Sequence, residues 1–187
     1  MSELLNKLSS YNVFNYLLPG IVFAILASEI VHYPMVQHDI VVGAFLYYFI
    51  GLVISRFGSL VIEPLLKWSR FVQFADYADF VTASKKDDQI GVLSEANNTY
   101  RTFCSLFVVL LTLKVYVRIE SRFASLRNWD AMSLAVLLLL LFLLSYRKQT
   151  AYVAKRVQIA AVGPATIELD RASTVSDARS DSKKAGV

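Results

Sequence analysis

Four ionisable side chains lie within or beside the long apolar stretches of this sequence, where a charge has an unusual environment. They are Glu29, Arg56, Glu63 and Lys114. A charge at the centre of a bilayer costs about 2.5–3.5 kcal/mol on insertion scales, so such residues either reach the headgroups or mark an ion path. Arg56 is the best candidate for an ion path, because apolar residues continue beyond it and Glu63 follows two helical turns later.

A cluster of bulky aromatic residues precedes Arg56, between Gly43 and Gly51. Its members are Phe45, Tyr47, Tyr48 and Phe49. Glycines let helices approach closely, and aromatic side chains in mid-span can close a pore by dewetting. Around a symmetry axis, a ring of Arg56 side chains would bias the pore toward anions. We therefore predict that this cluster and Arg56 form a pore or gate, with packing against helices or lipid as the alternative.

Basic residues outside the apolar stretches form a second candidate site. They are Lys67, Arg70, Lys85, Lys86, Arg101, Arg147 and Lys148. Topology and contact with anionic lipid account for such residues in many membrane proteins. The more specific prediction is a cytoplasmic site for an anionic ligand, such as a nucleotide or oligonucleotide, whose bases could stack on Trp68, Tyr77 or Tyr100.

Metal-binding and catalytic motifs are not evident. His32, His38 and Asp39 could ligate a metal, but two histidines in a short polar loop are more often solvated. Cys104 is the single cysteine, which excludes an internal disulfide and a cysteine-rich metal site. The sequence also has no Gly-rich phosphate loop, HExxH, CxxC or nucleophile elbow. We therefore predict a protein that is not an enzyme and that has neither a cofactor nor a metal.

Helices long enough to cross a bilayer must position these candidate residues. The sequence is 56% hydrophobic and only 18% charged, which is far from the usual balance of a soluble domain. A hydrocarbon core of about 30 Å needs roughly 20 apolar residues. Four runs approach that length, at 16–31, 40–54, 103–117 and 131–146. They predict an all-α integral membrane protein with four transmembrane helices in two hairpins.

The distribution of Lys and Arg predicts the orientation. The segment between the first two runs has none, whereas residues 56–101 contain six and the chain from Arg147 onward contains eight. The positive-inside rule therefore places the middle segment and both termini in the cytoplasm. Arg118, Arg122 and Arg127, in the predicted second outer loop, depart from this rule.

The predicted organisation has six parts. They are a cytoplasmic amphipathic N-terminal segment (1–15), a first transmembrane hairpin (16–56), a cytoplasmic helical segment (57–101), a second transmembrane hairpin (102–146), a cytoplasmic C-terminal segment (147–171) and a disordered tail (172–187). In the middle segment, Trp68, Phe71, Phe74 or Ala75, and Ala78 recur at three- and four-residue steps, which predicts an amphipathic helix. The tail lacks aromatic residues and nearly all apolar bulk, which is typical of disorder.

Three stretches resemble a group of small four-span proteins found in bacterial genomes. They are YNVFNYLLPGIVFAIL, LYYFIGLVISRFGSLVIEPLLK and NNTYRTFCSLFVVLLTL, within residues 11 to about 117. That group is similar to the membrane effectors of anti-phage defence systems of the Hailong and Kiwa kinds. The resemblance implies a homo-oligomer, with a tetramer favoured, in the bacterial inner membrane. It also implies that a cytoplasmic ligand or partner holds the protein silent until it is released to breach the membrane.

Three hypotheses for function follow. A four-span chain of this size has little room to enclose a conduit alone, so a channel would need several copies around an axis. The leading hypothesis is such a channel-like effector in the lipid bilayer. The second is a membrane adaptor that anchors a soluble defence partner through residues 57–101 and the tail. A small secondary transporter comes third, because the sequence has no inverted repeat and no midplane charges.

Overall fold

The computed structural model describes residues 13–32, 34–122 and 130–162. Every regular element in these ranges is helical, and none is a strand. The prediction of an all-α protein is therefore confirmed for the described chain. The predicted tail (172–187) and residues 1–12 of the predicted N-terminal segment lie outside it.

The first helix begins with a π-helical turn, Val13–Leu17, that continues directly into α1 (Leu18–Val31). Pro19 lies just after the π-helical turn, at the start of α1. Because proline has no amide proton, it cannot donate to a carbonyl of the preceding turn. The helix ends at His32, which has a φ of 54°. A left-handed residue at this position closes many helices, although glycine is the more usual one.

The second helix, α2 (Ile40–Phe57), begins at a side-chain cap. The Asp39 carboxylate accepts hydrogen bonds from the amides of Val41 and Val42 at 2.8 and 2.9 Å. These amides have no partner within the helix, and a carboxylate there also interacts favourably with the helix dipole. Asp39 is therefore engaged in helix capping.

The helix does not end at Phe57. It continues through a second π-helical turn, Gly58–Ile62, into α3 (Glu63–Trp68). The Glu63 amide donates to the Gly58 carbonyl, five residues earlier, which is the wide hydrogen bond of a π-helical turn. The result is one helical stretch of 29 residues, Ile40–Trp68. It extends well beyond the apolar run at 40–54.

The amphipathic helix predicted across residues 68–78 is wrong, because α3 stops at Trp68. Arg70 has a φ of 58°. The amides of Arg70 and Phe71 donate to the carbonyls of Lys67 and Leu66 at 3.1 and 3.0 Å, the pattern of a Schellman motif. These bonds satisfy the terminal carbonyls of α3 and turn the chain out of the helix.

A short helix, α4 (Tyr77–Ala83), begins after this break. The Asp76 carboxylate accepts a hydrogen bond from the Ala78 amide at 2.8 Å and so caps the new helix. The regular spacing of apolar residues indicated one helix here, but local capping at both sides of the break favours two. The spacing of apolar residues contains no information about these capping hydrogen bonds.

The last two helices, α5 (Gln89–Glu120) and α6 (Asp130–Val162), are long. Three described helices are long and apolar enough to cross a membrane: Ile40–Trp68, Gln89–Glu120 and Ala131–Ala161. These three helices support the prediction that the chain is a membrane protein. The first predicted span corresponds to Asn15–Val31, which is apolar but shorter.

Two glycines bring the N-terminal helix, residues 13–31, and α2 into backbone contact. A Cβ atom on Gly20 would overlap the carbonyl oxygen of Tyr47, and one on Gly51 would overlap that of Tyr16. Position numbers rise along one helix as they fall along the other, so the two helices run antiparallel. Small residues permit this kind of close approach between helices in membranes.

The apolar core lies where α1, α2 and α5 meet. Its buried centre consists of Ala27, Ile54, Leu106 and Leu110. By contrast, no residue in the most apolar window of α6 is buried within the chain. The outer surface of α6 is therefore left for lipid or for another molecule.

The chain forms two compact units. Of the described residues, the first contains 13–32, 34–74, 89–122 and 130–146, and the second contains 75–88 and 147–162. In the second unit the rings of Tyr77 and Tyr152 lie 5.5 Å apart. Val81, also in this unit, is 1% exposed.

Candidate functional site

A buried polar junction joins the three packed helices of the first unit. It consists of Asn15, Ser55 and Thr102, which are 1%, 4% and 0% exposed. The Thr102 Oγ1 atom lies 3.1 Å from Asn15 Oδ1 and 3.2 Å from Ser55 Oγ. It also lies 2.8 Å from the Asn98 carbonyl oxygen of its own helix. The one Thr102 hydroxyl proton can go to either the Asn15 or the Asn98 carbonyl oxygen, and the Ser55 hydroxyl can donate to Thr102 Oγ1. All three helices therefore share this one hydroxyl group.

The junction continues to a contact between Gly58 and Ser105. Ser105 is fully buried, and its hydroxyl donates to the Arg101 carbonyl at 2.7 Å. A Cβ atom on Gly58 would overlap the Ser105 hydroxyl oxygen, so only glycine fits this position without a shift. Asn15 and Gly58 belong to the two π-helical turns, and such turns often occur at functional sites.

An ion-pair network lies beside the junction. Glu63 is 7% exposed. Its Oε2 atom accepts from Arg101 Nη1 at 2.6 Å, and its Oε1 atom accepts from Lys67 Nζ at 2.9 Å. The Arg101 Nε atom is buried and has no hydrogen-bond partner among the described residues. Two predicted ligand-binding cations, Lys67 and Arg101, therefore bind a carboxylate of the chain itself.

The seven basic residues predicted to bind an anionic ligand divide between the two compact units. Lys67, Arg70 and Arg101 are in the first unit, and Lys85, Lys86, Arg147 and Lys148 are in the second. Lys85 and Lys86 are exposed in the turn after α4. The Lys148 ammonium lies 5.9 Å from the Tyr152 ring centroid, within the range of a cation–π contact. A ligand site built from all seven stays a prediction.

The five predicted pore or gate residues divide between different faces of α2. Tyr47 and Tyr48 contact the chain itself. The Tyr47 hydroxyl accepts a hydrogen bond from the Gln37 amide at 2.7 Å. The Tyr48 ring lies edge-on to the Tyr16 ring, with centroids 5.4 Å apart. These two tyrosines hold α2 against the loop before it and against the N-terminal helix.

Phe45, Phe49 and Arg56 form the other group. With about 3.6 residues per turn they lie on one face of α2, away from the buried glycines. Phe45 is 74% exposed and Phe49 is 46% exposed, and the Phe49 ring stacks at 6.2 Å on Phe142 of α6. We call Phe45, Phe49 and Arg56 the outer face of α2.

Arg56 is half-buried, and its side chain forms no hydrogen bond or ion pair with any described residue. The helix continues for twelve residues beyond it, to Trp68, a distance of about 18 Å. Apolar side chains such as Val61 and Leu65 are exposed along that extension. The apolar run at 40–54 places Arg56 near the end of a predicted span. In the structure, Arg56 lies well inside the helix Ile40–Trp68.

Sequence reasoning missed the polar junction. The signal was present in part, because Thr102 and Ser105 are three residues apart and so share one helix face. Ser55 and Gly58 have the same spacing on the second helix. Small and hydroxyl residues at such spacing are typical of helix–helix contacts in membranes. What spacing could not predict is that Asn15 meets Thr102, 87 residues away.

The candidate metal residues lie apart from this junction. His32 and His38 are exposed, and Asp39 caps α2. Within residues 13–32, 34–122 and 130–162, no group of three His, Cys, Asp or Glu side chains could hold a metal ion.

Comparison of the chain with protein-family models, with curated protein sequences and with solved structures gives no match. The fold of the described residues therefore defines only a class, an all-helical arrangement in which three helices have membrane-spanning length and composition. Its function must be inferred from the geometry of its own residues.

Proposed function

We propose that this chain is a channel-like effector of anti-phage defence in the bacterial inner membrane. Four helices span the bilayer in two hairpins, and both termini are cytoplasmic. Several copies, with a tetramer favoured, assemble around a symmetry axis. A cytoplasmic ligand or partner keeps the assembly inactive, and its release permeabilises or depolarises the membrane.

The first span in this proposal, Asn15–Val31, completes the set of four with the three long helices. It has 17 residues, and at 1.5 Å per residue it is about 26 Å long. A hydrocarbon core of about 30 Å can thin locally to match it. Its backbone contact with α2 at Gly20 and Gly51 supports a shared membrane location.

The outer face of α2 carries the proposal. Arg56 lies on it beside Phe45 and Phe49, without an ion partner among the described residues. A guanidinium on a lipid-facing surface is costly, and charged residues in membrane helices usually face a bundle interior or a water-filled cavity. Copies arranged around this face would form a ring of arginines next to an aromatic constriction, which is a known way to build a selective pore.

Reconstitution into liposomes tests the channel. We expect the purified protein to conduct ions with a preference for anions. Arg56→Gln should lower the anion-to-cation permeability ratio, and Arg56→Lys should preserve it because the positive charge remains. Arg122→Gln is the matched control, since Arg122 is exposed in the turn after α5.

The proposal fails if oligomeric protein in liposomes does not conduct and its overexpression leaves the membrane potential of cells unchanged. An equal loss of selectivity in Arg56→Gln and Arg122→Gln would show that Arg56 has no special place in the path. A channel with cation selectivity that is insensitive to Arg56 would also contradict it.

The adaptor is the second candidate, and the separate compact unit favours it. Residues Ala75–Asp88 belong to that unit, and they carry the exposed Lys85 and Lys86. In this function, residues 57–101 and the tail would anchor a soluble cytoplasmic protein to the membrane. A pulldown from detergent should then retain a stoichiometric soluble protein. Lys85→Glu with Lys86→Glu should release it, whereas Arg122→Glu should not.

A further inference from the structure

Three large aromatic side chains are exposed at the last residue of α3 and in the segment that follows it. Trp68 is 84% exposed, Phe71 is 79% exposed and Phe74 is 49% exposed. We call residues 68–74 the aromatic turn. Aromatic side chains of this size contribute strongly to burial when a partner covers them. Within the described chain no such cover exists for Trp68 or Phe71.

The aromatic turn has a defined shape. Arg70 closes the end of α3 in the left-handed conformation, and the Phe71 amide donates to the Leu66 carbonyl at 3.0 Å. The Lys67 ammonium lies 4.1 Å from the Phe74 ring centroid, a cation–π contact that draws the chain back toward α3. The turn therefore presents Trp68 and Phe71 outward on a closed backbone.

The length of the preceding helix places the aromatic turn relative to a bilayer. Ile40–Trp68 has 29 residues, which corresponds to about 43 Å of helix. A bilayer with its headgroup regions is about 40–45 Å thick. A helix that leaves one headgroup region at its Asp39 cap therefore reaches the opposite headgroup region at Trp68. Tryptophan and tyrosine accumulate at that level in membrane proteins.

The charge of the turn also fits a headgroup layer. Arg70 is exposed and forms no hydrogen bond or ion pair through its side chain with any described residue. Lys67 is close by, and its charge is partly offset by Glu63. A guanidinium beside exposed aromatic rings matches a surface that offers phosphate groups next to acyl chains.

We propose that the aromatic turn is an interfacial anchor that inserts into the headgroup layer of an anionic leaflet. Trp68 and Phe71 sit at the boundary between headgroups and acyl chains, and Arg70 contacts lipid phosphates. The anchor fixes the depth of the long second helix in the bilayer. This role is independent of whether the protein conducts ions.

Fluorescence of Trp68 tests the insertion. Trp129→Phe leaves Trp68 as the single tryptophan, and the full-length protein is reconstituted into vesicles of phosphatidylcholine and phosphatidylglycerol at a ratio of about 7:3. We expect lipids brominated near the headgroup to quench Trp68 about twofold more than lipids brominated near the chain end, as for an interfacial tryptophan. Trp129→Tyr serves if the Phe variant does not fold, as judged by circular dichroism.

Three outcomes would overturn the insertion. Strong quenching by aqueous iodide without quenching by either brominated lipid would place Trp68 in water. Quenching by neither probe would show that a protein surface, from a second copy or another partner, covers the turn. Deeper bromines quenching more than shallow ones would also contradict an interfacial position.

The contribution of charge is tested in the same single-tryptophan protein. Replacing part of the phosphatidylcholine by phosphatidylglycerol should shift the Trp68 emission to shorter wavelength. Arg70→Asn should abolish this shift, and asparagine is chosen because it tolerates the left-handed backbone. Arg122→Asn should retain the shift. A lipid-independent spectrum, or an unchanged shift in Arg70→Asn, would overturn the phosphate contact.

Discussion

Thr102 and Ser55 are 47 residues apart in the chain, yet their hydroxyl oxygens lie 3.2 Å apart inside an apolar helical bundle. Asn15 joins them from a third helix. Hydrogen bonds between membrane helices average about 0.6 kcal/mol and reach about 1.7 kcal/mol in double-mutant cycles. The junction therefore contributes modestly to stability, and its larger effect is to specify which faces of the helices meet.

Thr102→Val removes the shared hydroxyl while preserving the shape of the side chain. We expect a loss of about 1–2 kcal/mol in the free energy of unfolding, because Asn15 and Ser55 lose their common partner. Thr112→Val is the control, since the Thr112 hydroxyl is exposed and, among the described residues, bonds to Val108 of its own helix alone. Unfolding in mixed detergent micelles measures the change in unfolding free energy for both variants. Equal losses in the two variants would show that the junction does not stabilise the bundle.

Gly58→Ala should destabilise the bundle by about 1–3 kcal/mol, as overpacking of a tight contact does. The new methyl group would overlap the Ser105 hydroxyl oxygen. Ser105→Ala in the same chain should recover part of the loss, because it removes that oxygen. Gly91→Ala is the matched control, since nothing lies within 4 Å of its added Cβ atom. That control should be neutral or stabilising by up to about 1 kcal/mol through helix propensity.

Gly51→Ala should be more damaging than Gly43→Ala. At Gly51 the added methyl group meets the Tyr16 backbone, which cannot move aside without separating the helices. At Gly43 the nearest atom belongs to the Tyr47 ring, at 3.1 Å, and a side chain can rotate slightly. Crosslinking between cysteines introduced at Leu17 and Ile50 measures whether the two helices remain in close contact. Undiminished crosslinking in Gly51→Ala would contradict the close approach.

Glu63→Gln should cost about 2–4 kcal/mol, because it removes a buried charge and leaves the Arg101 guanidinium without its counterion. Lys67→Gln should cost less than about 1 kcal/mol, since the Lys67 side chain is 43% exposed. Glu63→Gln combined with Arg101→Gln should cost less than the sum of the single changes. A double-mutant cycle on unfolding free energies checks this coupling, and strict additivity would argue against it.

Local sequence properties predict the helices well. The runs at 40–54, 103–117 and 131–146 lie inside the three long described helices, because hydropathy and helix formation depend on neighbouring residues. Their ends are predicted less well. The apolar pattern continues across the end of α3, whereas Arg70 and Asp76 divide the chain there through capping bonds.

The predicted gate shows a different limit. Phe45, Tyr47, Tyr48 and Phe49 are adjacent in sequence and similar in bulk, so composition groups them together. In the structure, the tyrosines contact the chain itself, while Phe45 is 74% exposed. A helix that is apolar all round has no strong amphipathic signal for its packed face, and lipid is as apolar as a protein core.

The sequence by itself determined that this protein is helical and apolar enough for a membrane, since both properties are sums over neighbouring residues. Only the tertiary structure decided which residues meet. It brought Asn15 to Thr102 and Arg101 to Glu63, and it left Arg56 on the outer face of α2. The physical reason is that helices in lipid associate through small residues and a few polar contacts. Their partners are distant in the chain and become neighbours only when the helices pack.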